Sequence, residues 1–362
     1  MTAGCGVNAL SGLHSCSRRA FFHVRGVEVF LLASIWGGSS PASPYTVNKE
    51  GRGPAWANSL FEDNAEFGYG MRLAQDALRG RVIAAAETIV ATTDDADLKA
   101  KAEAFLATKD SSTDNAQPAR DLVAALEAKD CDCAERAEIL ANKDFAAKKS
   151  QWIFGGDGWA YDIGFGGVDH VLAAGKDVNI LVFDTEVYSN TGGQASKATP
   201  TGSIAQFAAG GKDVKKKDLA AIAMSYGYIY VAQISQGADM NQCLKAIREA
   251  EAYNGPSLII AYAPCINHGI KGGMKNAQAE EKRAVEAGYW HLFRFNPELA
   301  EEGKNPFILD SKAPSADYKD FIMSEVRYNR LARTNPERAE ELFNKAAEDA
   351  KKKYEKLVEM AK

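Results

Sequence analysis

Asp157 stands inside a run of glycines, Gly155-Gly156-Asp157-Gly158, that follows the apolar residues Trp152–Phe154. Glycines permit a tight turn and let main-chain N–H groups come close to a ligand. A bare carboxylate in such a turn repels a phosphate. It becomes useful when it holds a divalent cation that a diphosphate also binds. Mg2+ takes oxygen ligands in near-octahedral geometry, with one or two carboxylates plus phosphate and water. Asp157 can give one ligand. The Thr185 hydroxyl and the Val187 carbonyl can give two more, and Asn190 then faces the diphosphate or a substrate. The chemistry these residue types support is cation-bridged diphosphate binding.

Two strands must carry these groups. One is Trp152–Phe154, running into the glycine turn; the other is Asn179–Phe183, ending in Asp184-Thr185. A helix is expected from about Ala160 through Val171 to Ala174, and its N-terminus suits a phosphate. Leu219–Gly227 and Asp239–Tyr253 read as helices, Tyr230–Ile234 and Ser257–Ala263 as strands. That alternation predicts an α/β fold, a doubly wound, mostly parallel sheet with right-handed crossovers. Ligands of such sheets sit outside the carboxyl ends of the strands. The long polar stretch Gly192–Lys217 lies beside that crevice, and a loop of such length usually carries function.

The string Gly-Asp-Gly-Trp-Ala-Tyr-Asp-Ile-Gly-Phe-Gly-Gly from Gly156, with Asp-Thr-Glu-Val-Tyr-Ser-Asn-Thr-Gly-Gly-Gln from Asp184, closely resembles pyruvate:ferredoxin (flavodoxin) oxidoreductase. The resemblance resumes at Gly51–Met71 and Tyr262–Gly273 and runs to the C-terminal helix, roughly from Ser34 onward. It implies the thiamine-diphosphate-binding fold with a helical insertion and a C-terminal helix. It implies oxidative decarboxylation of pyruvate to acetyl-CoA and CO2, with coenzyme A as co-substrate. Electrons then pass through iron–sulfur clusters to ferredoxin or flavodoxin. Carried over residue by residue, Gly156, Asp157, Gly158, Trp159, Thr185, Glu186, Val187, Tyr188, Ser189 and Asn190 bind thiamine diphosphate. Asp157, Thr185 and Val187 hold Mg2+, and Asn190 reaches the substrate end as the catalytic candidate.

Cys265 falls where the family has its fourth ligand to a [4Fe–4S] cluster. The position three residues before Ile35-Trp36-Gly37-Gly38 holds Leu32 instead of the family's cysteine, and the family's upstream Cys-x-x-Cys has no counterpart. Only one ligand is thus retained. Family chains are several times longer, and this one matches their C-terminal end. The activating glutamate and the pyruvate-binding threonine and arginine lie on other domains. The resemblance therefore implies a fragment that is inactive alone, binds the cofactor weakly, and forms a homodimer only when complete. Two competing readings are a non-oxidative thiamine diphosphate decarboxylase or carboligase, and a non-catalytic remnant. Cys265 and Ile35-Trp36-Gly37-Gly38 argue against the first, and the intact Mg2+ ligands argue that the ancestral site was functional without extending that to this fragment.

The 362 residues divide on this reading into an atypical stretch 1–33 not native to the fold, a loop and helical region 34–150, the α/β core 151–294 and a tail with a helix 295–362. Hydrophobic residues make up 46% and support a proper core; the net charge of −5 marks no nucleic-acid or membrane surface. Six cysteines at 5, 16, 131, 133, 243 and 265 form no regular disulfide framework, which fits a reducing cytoplasm. Cys5 and Cys16 sit in unrelated context and are not ligands. Cys131-Asp132-Cys133 has no second pair or histidine nearby and reads as incidental rather than metal-binding. His268 reads as structural. Val29–Ile35 is too short to span a bilayer, and no Walker-type motif supports an NTPase. In the tail, Asn335 and Pro336 open a helix. Its stripe of Leu342, Ala346, Ala350, Tyr354, Leu357 and Ala361 is expected to dock on the rest of the complete enzyme.

Overall fold

The structure is a computed structural model and describes residues 63–362 together with two short strands, β1 (Val27–Leu31) and β2 (Ala55–Ala57). The family-like segment at Ile35–Gly38, the substitution at Leu32, Trp36, Cys5, Cys16 and the transition near Ser34 all lie outside the described residues.

The chain divides into two compact units. Residues 70–151 form a helical one, built from most of α1 (Asn64–Thr92), then α2 (Ala96–Ala107), α3 (Ala116–Glu127) and α4 (Ala134–Ala141). Apolar residues at helical spacing meet in its core: Val82, Ala86 and Ile89 of α1 with Leu98, Phe105, Leu122, Leu126 and Ile139. Asp95 caps α2 by accepting from the Leu98 N–H at 3.0 Å. These helices are not merely a surface covering; they own a core of their own.

The larger unit holds residues 152–362 with the start of α1. Its strands are β3 (Ser150–Gly156), β4 (Asn179–Asp184), β5 (Tyr230–Ile234), β6 (Ser257–Tyr262), β7 (Phe293–Phe295) and β8 (Phe307–Leu309). They lie in the order β3-β4-β6-β5-β7-β8. The first four are parallel; β7 and β8 close the edge antiparallel. Tyr230–Ile234 is buried throughout, as befits a central parallel strand covered on both faces. The crossovers are α5 (Phe165–Ala173), α6 (Leu219–Met224) and α7 (Met240–Ala252). Asp239 caps α7 through the Gln242 N–H at 3.0 Å. The mostly parallel α/β sheet read from the sequence is thus the observed one.

Two expectations need correction. The helix after the glycine turn opens as a π-helical turn, Gly158–Ile163, with α5 beginning only at Phe165. The Gly164 N–H reaches back to the Trp159 carbonyl at 2.9 Å, a five-residue step. The first half of the C-terminal stripe is also not left open for docking. The final helices are α8 (Ala277–Glu286), α9 (Val326–Thr334) and α10 (Pro336–Met360). Leu342, Phe343 and Ala346 of α10 are buried, and the chain's own loop covers them: a methyl group on Gly202 would lie 3.0 Å from the Phe343 ring, and one on Gly211 3.0 Å from Leu342. The N-cap is as read, with Asn335 Oδ1 accepting from the Arg338 N–H at 3.1 Å.

Candidate functional site

Parallel register aligns Gly156 of β3 with Phe183 of β4. The residues just beyond, Asp157 and Thr185, therefore meet at one end of the sheet. Asp157 is buried, and its Oδ1 accepts from the Thr185 N–H at 3.1 Å and the Thr185 hydroxyl at 2.7 Å. The same hydroxyl lies 3.1 Å from the Val187 carbonyl oxygen. The three oxygens singled out for a cation thus gather around the Thr185 Oγ1. Neighbouring ligands of an octahedral Mg2+ at its usual bond length stand about 2.9 Å apart. Spacings of 2.7 and 3.1 Å match that requirement. The donor set, one carboxylate with two neutral oxygens, suits Mg2+ bound together with phosphates. Among the described residues no cluster of three or more His, Cys, Asp or Glu side chains forms a metal site of another kind.

Burial is the main reason the Asp157 carboxyl is pushed up to about 7; the Asp184 charge adds to it, and hydrogen bonds from Ser196 and Thr185 oppose it. A cation at this place offsets both unfavourable effects. Ser196, whose hydroxyl donates to Asp157 Oδ2 at 2.7 Å, comes from the long polar loop.

The cleft over this end is lined by Gly156, Asp157, Gly158 and Trp159 from one strand, and by Thr185 and Val187–Thr191 with Phe183 from the other. Its volume of about 110 Å3 is below the 300–1,000 Å3 of pockets that enclose a whole organic ligand. It has room for one end of a cofactor. Close approach needs the glycines: a methyl group on Gly158 would fall 2.5 Å from the Tyr188 ring, and one on Gly155 2.2 Å from the Trp159 indole. Tyr188 and Gln194 bridge the neck of the 188–194 loop, with the Tyr188 N–H donating to the Gln194 carbonyl at 2.9 Å. Asn190 is exposed on that loop at the rim of the cleft. Cys265 follows β6, and its Sγ lies 2.8 Å from the Ser189 hydroxyl and 3.5 Å from both nitrogens of Asn267.

Glu186 behaves differently from its neighbours. Its backbone is left-handed, φ +62°, and its side chain turns from the cleft into the protein. There Glu186 accepts from Lys216 at 3.0 Å, from Tyr289 at 2.6 Å and from Arg327 at 2.7 Å. Lys216 also pairs with Asp184 at 2.7 Å, and Arg327 with Glu325 at 2.6 Å. Burial raises the Glu186 carboxyl, but Lys216 and Arg327 outweigh it and hold the group at about 2. His268 is fully buried; burial first, then Arg327, depress it to about 3, so it is neutral and donates Nε2–H to the Thr185 carbonyl at 2.8 Å. That agrees with a structural histidine. The backbone that presents Thr185 and Val187 is thus anchored from behind by ions. Sequence reasoning missed Ser196, Lys216, Tyr289 and Arg327. Only the first two had a signal, the length of the polar loop.

The fold and the site together define a thiamine pyrophosphate-binding domain. Residues 137–261 match the family model described as "Thiamine pyrophosphate enzyme, C-terminal TPP binding domain". The chain is 58% identical over 343 residues to the pyruvate:ferredoxin oxidoreductase of Moorella thermoacetica and 54% identical over 322 residues to the pyruvate-flavodoxin oxidoreductase of Klebsiella pneumoniae. These alignments cover 91% and 89% of this chain, and in each case 28% of the relative. A solved 2-oxoglutarate:ferredoxin oxidoreductase from Magnetococcus marinus superposes with a TM-score of 0.40 at 16% identity, covering 82% of this chain and 75% of that one. Over about nine-tenths of its length the chain is thus similar to pyruvate:ferredoxin (flavodoxin) oxidoreductases, and it spans little more than a quarter of the length of these relatives.

Proposed function

We propose that this chain forms the diphosphate end of the active site in an enzyme that oxidatively decarboxylates pyruvate to acetyl-CoA and CO2. The observation that carries this reading is the meeting of Asp157 Oδ1, the Thr185 hydroxyl and the Val187 carbonyl at the ends of two adjacent parallel strands. These three groups would hold Mg2+. Main-chain N–H groups from Gly156 to Trp159, with the loop from Thr185 to Asn190, would hold the diphosphate. Glu186 contributes by its backbone position rather than by its carboxylate. Bound thiamine diphosphate supplies the electron sink that decarboxylation requires. The chain's own residues bind and orient it, and Asn190 is placed at the rim to meet the substrate end.

Cys265 beside Ser189 would give one thiolate to a [4Fe–4S] cluster, which needs further ligands. Transfer of electrons to ferredoxin or flavodoxin, the use of coenzyme A, a cytoplasmic setting and a homodimeric complete enzyme follow the same family reading. No helix among the described residues is long and apolar enough to cross a membrane. The small cleft supports the expectation that the chain alone binds the cofactor weakly and needs further domains for turnover.

The test is titration calorimetry of the chain with Mg2+ and thiamine diphosphate, together with pyruvate-dependent reduction of a dye. Weak, Mg2+-dependent binding without turnover is expected. Cofactor binding that is indifferent to Mg2+ would overturn the assignment of the three oxygens. Dye reduction by the chain alone would overturn the need for further domains.

A further inference from the structure

Cys131 and Cys133 lie in the helical unit, on the loop that leads into α4. The sequence places them on a charged helical stretch; the structure instead puts Cys133 in extended conformation, φ −109° and ψ 143°, as the N-cap residue of α4. The chain direction therefore reverses nothing between them, and the two thiols come together: Sγ to Sγ is 2.8 Å. Both are free, Cys131 exposed and Cys133 half-buried. That separation is already inside ordinary sulfur contact and approaches the ~2.05 Å of a disulfide.

From these contacts we infer that Cys131 and Cys133 form a redox-active dithiol that exchanges with small-molecule or protein disulfides. Three features of the surroundings serve this chemistry. Cys133 sits where the first-turn N–H groups of α4 favour a thiolate. Its side chain is not spent on capping them. Arg136 is fixed beside the pair, with Nε donating to the Leu126 carbonyl at 2.8 Å and Nη1 reaching the Cys131 carbonyl at 3.5 Å. The contact with Cys133 is also the first cause that raises the Cys131 thiol. The other two described cysteines are enclosed. Cys243 is buried and pushed up to about 11, chiefly by that burial, and Cys265 packs against Ser189.

The exchange balances as follows. The Cys133 thiolate attacks one sulfur of an oxidised disulfide, forms a mixed disulfide and expels one thiolate. Cys131 gives its proton to solvent, attacks the Cys133 sulfur and expels the second. The protein dithiol loses two electrons and becomes an intrachain disulfide; the external disulfide gains them and leaves as two thiols.

The experiment equilibrates the full chain in buffers of glutathione and glutathione disulfide, blocks free thiols with N-ethylmaleimide, and maps peptides by mass. The expected product is a disulfide within the single peptide that holds both residues, titrating as a two-electron couple while Cys243 stays reduced. In Cys131→Ser the ring cannot close, and Cys133 should accumulate one glutathione. In Cys133→Ser the remaining thiol should react at least 10-fold more slowly than Cys133 does in Cys131→Ser. Neither cysteine is fully buried, so both Cys→Ser changes should leave the fold intact, which circular dichroism checks. Failure of the ring to form in fully oxidising buffer would overturn the proposal, and so would equal reactivity of the two single variants.

Discussion

Arg327→Met tests whether the buried ions hold the cation site in place. Arg327 is 3% exposed, and its guanidinium serves two buried carboxylates, Glu186 at 2.7 Å and Glu325 at 2.6 Å, as well as the Tyr289 hydroxyl at 3.0 Å. Methionine fills much of the volume and supplies no charge. Breaking a buried pair by removing one partner costs about 3–5 kcal/mol, because the other charge is left uncompensated. At about 2–4 °C per kcal/mol for a unit of this size, the midpoint should fall by about 6–20 °C. The deficit should depend on pH. Burial holds Glu325 up at about 7 even with the guanidinium beside it, and removing Arg327 takes away the charge that opposes burial at both carboxyls. A group so raised is fully compatible with folding below its unfolded pKa, and stability is lost as pH rises from the unfolded value to the folded one. The deficit should therefore be largest near pH 8 and shrink toward pH 5. Adding Glu325→Gln and Glu186→Gln to Arg327→Met should recover half or more of it. Glu186 lies between Thr185 and Val187 with φ +62°, so freeing its side chain also frees the two oxygens beside it. Mg2+-dependent cofactor binding should weaken about 10-fold, on the order of 1.4 kcal/mol. Urea unfolding at both pH values, with calorimetry for the cofactor, measures all three effects. A loss under about 1 kcal/mol, or the same loss at pH 5 and pH 8, would refute the reasoning.

Three further outcomes are expected. Gly158→Ala places a methyl group 2.5 Å from the Tyr188 ring; overpacking should cost about 1–3 kcal/mol and cofactor affinity should drop with it, both readable by melting with and without Mg2+ and thiamine diphosphate. Asp157→Asn should abolish Mg2+-dependent binding in calorimetry yet leave the melting temperature unchanged or raised, because the carboxyl it replaces is held near 7 chiefly by burial; a large drop in melting temperature would show that the charge stabilises the fold. Burial is the first cause that holds both His268 and His291 at about 3, below their ordinary 6.5. The unfolded chain then binds protons that the native state does not, so stability is lost as pH falls below 6.5 and goes on falling toward the folded value. Each histidine should contribute about 1.4 kcal/mol per pH unit in that window, and His291→Gln should lower the slope measured by urea titration by about that amount.

The sheet was readable because its strands announce themselves. Tyr230–Ile234 and Ser257–Tyr262 are apolar runs between turns, the crossover α7 carries its own cap at Asp239, and the last helix carries one at Asn335. The meeting of Asp157 and Thr185 was readable because parallel pairing fixes what stands beyond each strand: once β3 and β4 are neighbours, the two must come together. What escaped was whatever joins the site from far along the chain. Arg327 lies 141 positions after Glu186, and nothing in the sequence of α9 separates it from the exposed arginines beside it. Glu186 misled for a related reason. Its place in the motif is a statement about the backbone, and the direction of its side chain is set by a left-handed φ that the residue type does not encode.

That division explains why the motif has an acid at a position whose side chain never enters the cleft. A left-handed residue between two cation ligands is strained unless it is glycine, and glycine there would leave the backbone of Thr185 and Val187 free to wander. A glutamate accepts the strain because Lys216, Tyr289 and Arg327 bind its carboxylate from three sides. The ion network therefore acts on the proposed Mg2+ site through the peptide chain rather than through its charge. Glu186→Gly should relieve the strained φ and still weaken Mg2+-dependent cofactor binding, by about 10-fold or more. Glu186→Gln keeps hydrogen bonds to the same partners and should lose less. If calorimetry finds the glycine variant binding as tightly as the unmodified chain, the anchoring role of the carboxylate is wrong.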